Sequence, residues 1–193
     1  VDGGKTWRNV GLQDSYHIGA VRVHPRNPDI VYVAALGHLW GPNEMRGVYR
    51  TTDGGATWKQ LLTRGPDAGA IDLAFDPSNP RVLYAVIESD IGGAISLETI
   101  RSRSGGIFRT DDGGAHWKRI SNLTPRGFYF AKVRVDPNND QRVYVLGFGT
   151  AVSDDGGRTF LNTGARDIPG DCHAIWIDPN NSNHVLLGTD GGI

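Results

Sequence analysis

The residue types from which a reactive or metal-binding site is most readily made fall in two neighbouring stretches, "GDCHAIWIDP" (170–179) and "GTDGG" (188–192). Asp171, His173 and Asp190 supply two carboxylates and one imidazole. Such a set can hold a divalent cation through mixed nitrogen and oxygen ligands. It can also work as an acid–base pair, with Asp171 and His173 as the catalytic candidates, because the imidazole titrates near neutrality and a carboxylate orients it. The plainer alternative is that both aspartates cap turns while His173 packs beside Trp176. Cys172 lies between Asp171 and His173, and an acidic neighbour raises a thiol pKa, which counts against a nucleophile.

A second group joins "YHIG" (16–19) to "GHLWGPNEMRG" (37–47), a loop longer than a hairpin needs. It holds His38, Trp40, Asn43, Glu44 and Arg46. An aromatic ring with amide, carboxylate and guanidinium groups suits stacking on a sugar and hydrogen bonding to its hydroxyls, and it is also the ordinary composition of an ordered loop. The ligand-binding candidates are His17, Arg22, His38, Trp40, Tyr129, Arg134, Trp176 and Asp190. Tyr129 belongs to "GFYF" (127–130). The Gly- and Ser-containing insertion "SDIGGAISLETIRSRSGG" (89–106) has the make-up of a lid or a contact with a neighbouring domain.

The elements that must carry these residues are repeats, which outrank any other signal in reading a sequence. "VRVHPRNPDIVYVAA" (21–35), "LAFDPSNPRVLYAVI" (73–87), "VRVDPNNDQRVYVLG" (133–147) and "IWIDPNNSNHVLLGT" (175–189) share one pattern, with Pro25, Pro77, Pro137 and Pro179 spaced 52, 60 and 42 residues apart. In each, a short apolar run meets a turn whose Pro presets the backbone and whose Asn or Asp caps it, and a β-branched strand follows. A second signature alternates with the first: "TTDGGATW" (51–58), "TDDGGAHW" (110–117), "SDDGGRTF" (153–160) and a shorter copy, "VDGGKTW", at 1–7. A strand such as "GGIFRT" (105–110) enters it and one such as "HWKRI" (116–120) leaves it. Four antiparallel strands per repeat make a propeller blade, so the fold class is all-β.

An Asp between glycines raises the possibility of a calcium or phosphate loop. A calcium loop needs alternating ligands and a distal bidentate Glu, and a phosphate loop needs a Gly-rich turn opening a helix with a Lys. Neither context is present. Gly supplies the positive backbone angles of a tight turn, the carboxylate accepts turn N–H groups, and the hydroxyls join that network. Asp2, Asp53, Asp112 and Asp155 are therefore structural, and the aromatics Trp58, Trp117 and Phe160 suit packing between blades.

Alignment on the turn prolines places His17, Gly69, Tyr129 and Asp171 eight residues earlier, at the mouths of the first strands, and Gly19, Ile71, Ala131 and His173 six earlier. Arg22 and Arg134 alternate with valines inside those strands, where Trp176 takes the equivalent place in the last repeat. Polar residues that differ between copies of one scaffold point to a site. That site is expected on the face opposite the Asp–Gly turns.

Composition sets the outer bounds. A net charge of -1 argues against electrostatic binding of nucleic acid or an anionic membrane, and no stretch approaches the roughly 18 apolar residues of a membrane insertion. One cysteine excludes an internal disulfide and a four-thiolate zinc site. There is no Gly-x-Ser-x-Gly elbow, Walker loop or His-Glu-x-x-His, so no cofactor and no metal is assigned from a motif.

The pattern Ser/Thr-x-Asp-x-Gly-x-Thr-Trp/Phe resembles the Asp-box, or bacterial neuraminidase repeat. It is complete at 51–58. His116 replaces Thr in the second copy, Phe160 replaces Trp in the third, and the first lacks its leading Ser/Thr. Asp-boxes occur in sialidases, xyloglucan-type glycosidases, the sortilin propeller and photosystem II assembly factors. The stretch from "HIGAVRVHP" to "TTDGGATW" resembles large secreted bacterial proteins of the sortilin-like or glycosyl-hydrolase-like repeat class, and the likeness runs along essentially the whole chain. Those relatives carry a similar Asp-x-His-Ala…Asp-Gly-Gly pattern.

The resemblance implies a segment of a larger propeller of about seven or more blades. Residues 1–12 would be the last strand of a preceding blade, 13–63, 64–121 and 122–164 three blades, and 165–193 the first strands of another; a four-bladed ring is the minor alternative. It implies an extracytoplasmic module binding glycan or protein, with the remaining blades of its parent as partners. The alternatives are an Asp-box glycoside hydrolase, with Asp171 as one of two acids and its partner beyond this chain, and a purely structural scaffold. Sialidase activity is not supported, since Arg22 and Arg134 lack the third arginine of that chemistry.

Overall fold

The computed structural model describes residues 2–88, 105–123, 131–162 and 169–193. Tyr129, "GFYF" and nearly all of the 89–106 insertion lie outside the described residues.

The strands form where alternation and turn chemistry place them. β1 (His17–Val23), β2 (Val31–Gly37), β3 (Gly47–Thr51) and β4 (Lys59–Leu62) make the first sheet; β5 (Ala70–Phe75), β6 (Leu83–Ile87), β7 (Gly106–Thr110) and β8 (Lys118–Ser121) the second. β9 (Lys132–Asp136), β10 (Asn139–Gly147), β11 (Gly149–Ser153) and β12 (Leu161–Asn162) make the third, and β13 (Cys172–Asp178) pairs with β14 (Asn181–Thr189). Each sheet is an antiparallel meander in chain order. β1, β5, β9 and β13 neighbour one another in that order, so the first strand of each blade lies on the inner side. No helix among the described residues is long and apolar enough to cross a membrane. Residues 2–12 carry no strand among the described residues.

The period of two explains the core. Along β6, Leu83, Ala85 and Ile87 face the first blade with Ala20, Tyr32, Val48 and Phe108, and Trp117 closes that layer. Tyr84 and Val86 point the other way, onto Val133, Val135, Val143 and Val145 of the third blade, with Phe160 beside them. The middle blade is covered on both sides, which is why β6 reads as an unbroken apolar run. Trp58 packs instead, as do Leu12 and Val31, against the cluster of Val33, Ala35 and Tyr49, and its indole N–H donates to the Val10 carbonyl at 2.7 Å.

The Asp-boxes are self-contained hydrogen-bond networks. In the complete copy, Thr51 Oγ1 donates to Asp53 Oδ1 at 2.7 Å, and the Thr57 N–H and hydroxyl donate to Oδ1 and Oδ2 at 2.9 and 2.6 Å. Asp155 repeats this with Ser153 and Thr159. At Asp112 the imidazole of His116 takes the place of the missing hydroxyl, 2.7 Å from Oδ2. Asp2 gathers the N–H groups of Gly4 and Lys5 and the Thr6 hydroxyl. Gly54, Gly113 and Gly156, each at positive φ, donate their N–H to the carbonyls of Asp29, Arg81 and Gln141 in or beside the turn between the first two strands of the same blade. The box thereby ties the outer hairpin to the inner one.

Candidate functional site

On the face opposite the boxes, β13 begins with a bulge. Cys172 pairs with Thr189 and Ala174 with Gly188, so His173 is the extra residue on its strand. β1 and β5 break register at the same place, with Gly19 and Ile71 as the extra residues. A bulge re-aims the side chain it carries, and here the carrier in the last blade is an imidazole. The Asp190 N–H bonds the Asp171 carbonyl, and Asp171 bridges Phe148 on the neighbouring blade, which fixes the strand mouth from both sides. His173 Nε2 lies 2.8 Å from Asp190 Oδ1, and one donor atom each from Asp171, His173 and Asp190 all lie within 4.8 Å of one another. Antiparallel pairing thus brings the three together, as the repeat alignment expected. Cys172 points into the core, buried against Thr150, and presents no thiol to this cluster.

The second group gathers around Asp14. His38 Nε2 lies 3.2 Å from its carboxylate, and the Asn43 amide donates to its backbone carbonyl at 3.0 Å. The Tyr16 ring stands edge-on to His38, with centroids 4.3 Å apart. Tyr16 adopts φ 53 and ψ -76, a left-handed backbone that a bulky residue rarely takes, yet its side chain is 70% exposed. Trp40 is exposed as well. His17 is committed by its Nδ1 to the Gly37 carbonyl at 2.9 Å. Arg46 and Asn43, grouped with the sugar-contacting residues of this loop, are instead buried. Arg46 donates to the carbonyls of Leu36, His38 and Gly41, closing the loop from beneath.

Arg22 and Arg134 both converge on Asp72, a residue of β5 that alignment on the prolines passed over. Arg22 donates to Asp72 Oδ1 at 2.8 Å and to the Leu73 carbonyl at 2.7 Å; Arg134 donates to Asp72 Oδ2 at 2.7 Å. The Val133 N–H completes the set at 3.0 Å. Burial presses the Arg22 guanidinium below its ordinary value, with the Asp72 charge opposing it. One buried carboxylate therefore joins the inner strands of three blades. Its signal in the sequence was a lone charge in the apolar run "AIDLAF". Gly19 and Gly69 likewise answer to packing, because a Cβ on either would press into the backbone of Ile71 or Leu36 on the adjoining blade. Trp176 stays away from the Asp171 cluster, half-exposed in β13 and edge-on to His184 at 5.6 Å.

The blades and their boxes define an Asp-box β-propeller. The family model Sortilin-Vps10 (Sortilin, neurotensin receptor 3) matches residues 1–146, and the chain belongs to that family. It is 26% identical over 190 residues to Xyloglucanase Xgh74A of Acetivibrio thermocellus, covering 92% of this chain and 19% of that protein. A xyloglucanase of Paenibacillus sp is 30% identical over 165 residues, covering 82% of this chain and 13% of its own. The chain thus spans a fifth or less of the curated relatives it matches. Similar solved structures include an ancestral GH74 enzyme, with TM-score 0.66 and 21% identity over 93% of this chain and 23% of that one. YCF48 from Cyanidioschyzon merolae gives 0.54 and 16% over 89% and 50%. At these identities the likeness is one of fold.

Proposed function

We propose that the chain is a glycan-binding module of an extracytoplasmic propeller, and that its ligand is a β-linked polysaccharide of the xyloglucan class. The carrying observation is Tyr16. A non-glycine backbone held at positive φ with its ring turned out to solvent stores strain, and strain of this kind gathers at functional sites. Beside it stands His38, and the same loop, whose shape the buried Arg46 maintains, carries the exposed Trp40. Two aromatic rings supply faces for pyranose stacking, while His38 and Asp14 supply a donor and an acceptor for hydroxyls. The names of the curated relatives support the choice of polysaccharide.

The module serves within a larger propeller. Val21 is 53% exposed on β1, whereas its counterparts in the repeat, Leu73 and Val133, are fully buried against a preceding blade. A further blade of the same kind fits that face.

Titration calorimetry with xyloglucan oligosaccharides tests the reading. Trp40→Ala and Tyr16→Ala should each weaken binding at least tenfold with the thermal transition unchanged; equal affinity in both variants rejects it. A second reading, glycoside hydrolysis with Asp171 and His173 in acid–base roles, is favoured by the 2.8 Å contact between His173 and Asp190. Reducing-end release from xyloglucan, lost in His173→Gln, is its measure.

A further inference from the structure

We infer that Asp171, His173 and Asp190 form a site for a divalent transition-metal ion, of the zinc or manganese type, distinct from the aromatic surface at Tyr16 and Trp40. Three donors of mixed character already stand within 4.8 Å of one another, each fixed by backbone rather than by a long flexible side chain. His173 occupies the bulge, Asp171 the strand mouth bonded to Asp190 and bridged to Phe148, and Asp190 the turn closed by Thr189 and Gly192. The 2.8 Å between His173 Nε2 and Asp190 Oδ1 is close to the roughly 3 Å edge that two neighbouring ligands span around an ion with bonds of about 2.1 Å. The pair formed by His173 and Asp190 is thus already at ligand spacing. Across the cluster the donors stand up to 4.8 Å apart, and they draw closer, to within the roughly 4.2 Å that two such bonds span, when an ion enters. The imidazole takes it through Nε2, with the ring proton on Nδ1, and two bonds to the ion replace the hydrogen bond to Asp190.

Charge points to the same occupant. Among the described residues, neither Asp171 nor Asp190 makes an ion pair with Lys or Arg, and one imidazole faces two carboxylates. By contrast, Asp72 on the inner strand of the second blade is answered by the guanidinium groups of Arg22 and Arg134. The bulge recurs in β1 and β5 with Gly19 and Ile71, so its backbone belongs to the fold, while the donors belong to this blade alone among those three. One imidazole nitrogen with two carboxylates favours zinc, manganese or cobalt over calcium, which prefers six to eight oxygens. The half-exposed side of the cluster leaves coordination positions for water or a ligand oxygen.

The test is calorimetric titration of the EDTA-stripped 193-residue chain with zinc, manganese and calcium chlorides. Saturable one-to-one binding of zinc or manganese is expected, at least tenfold tighter than calcium. Asp171→Asn, His173→Gln and Asp190→Asn should each weaken it tenfold or more, with melting curves in EDTA matching the parent. His184→Gln is the control, because His184 beside Asp178 is another exposed imidazole–carboxylate pair. Unsaturable binding, affinity unchanged in Asp190→Asn, or loss only in His184→Gln would overturn the site. Glycan affinity is read separately: its loss in Trp40→Ala with zinc binding intact leaves this inference standing, and absence of glycan binding with a working metal site rejects only the glycan reading.

Discussion

Arg134 donates to Asp72 Oδ2 across 2.7 Å, and the carboxylate that receives it has no exposed surface. Arg22 reaches the other oxygen of the same carboxylate from the opposite blade. Three successive inner strands are thereby held in register by one buried charge whose two partners each keep contact with water. That arrangement offsets the cost of burying a carboxylate, since the guanidinium groups are only partly desolvated.

Removing Asp72 should therefore cost more than removing either arginine. Asp72→Ala deletes the acceptor of three hydrogen bonds and leaves two guanidinium groups facing an apolar gap, for a loss of about 3 kcal/mol. Arg22→Met should cost about 1–2 kcal/mol, because Arg134 and the Val133 N–H still satisfy the carboxylate. Urea unfolding of both variants decides it, and equal losses would show that the carboxylate does not bridge the blades.

The Asp-boxes predict an acid-dependent stability. The hydroxyls of Thr57 and Thr51, with the Thr57 N–H, hold the Asp53 carboxyl at about 2, below its ordinary 3.8. Asp112 and Asp155 are lowered in the same direction, the first chiefly by the His116 backbone N–H and the second chiefly by the Thr159 hydroxyl. A depressed folded value stabilises the fold above the unfolded value and is lost as pH falls through the folded one. For Asp53 that window runs from about 3.8 down to about 2. Thermal melts of the parent and Asp53→Asn should differ most above pH 4 and converge toward pH 2. A gap independent of pH would place the contribution of Asp53 elsewhere.

Arg46 links stability to the proposed ligand surface. Its guanidinium donates to three carbonyls of its own loop region while fully buried, so Lys cannot reproduce the fork. Arg46→Lys should lose about 2 kcal/mol and weaken oligosaccharide binding together, whereas Trp40→Ala weakens binding alone. Chemical denaturation paired with calorimetry checks this; unchanged glycan affinity in Arg46→Lys would separate the loop from the ligand.

Much of the architecture was legible because its determinants are local. An Asp-box closes within eight residues: Asp53, Thr51 and Thr57 bond to one another whatever the rest of the chain does. Strand alternation reports burial because successive side chains point to opposite faces, so the repeats and their turn prolines yielded the blades and the juxtaposition of Asp171, His173 and Asp190. Arg22 and Arg134 were visible as inward-facing charges, but their partner was not, since Asp72 lies two positions off the aligned register and meets them only after three blades have stacked. The same holds for the His173 bulge, which depends on the pairing of β13 with β14, and for Tyr16, whose positive φ leaves no trace in residue type. Local hydrogen bonding and period-two burial are written in neighbouring residues; contacts between strands fifty or more residues apart are set by register, and register exists only once the sheets have packed.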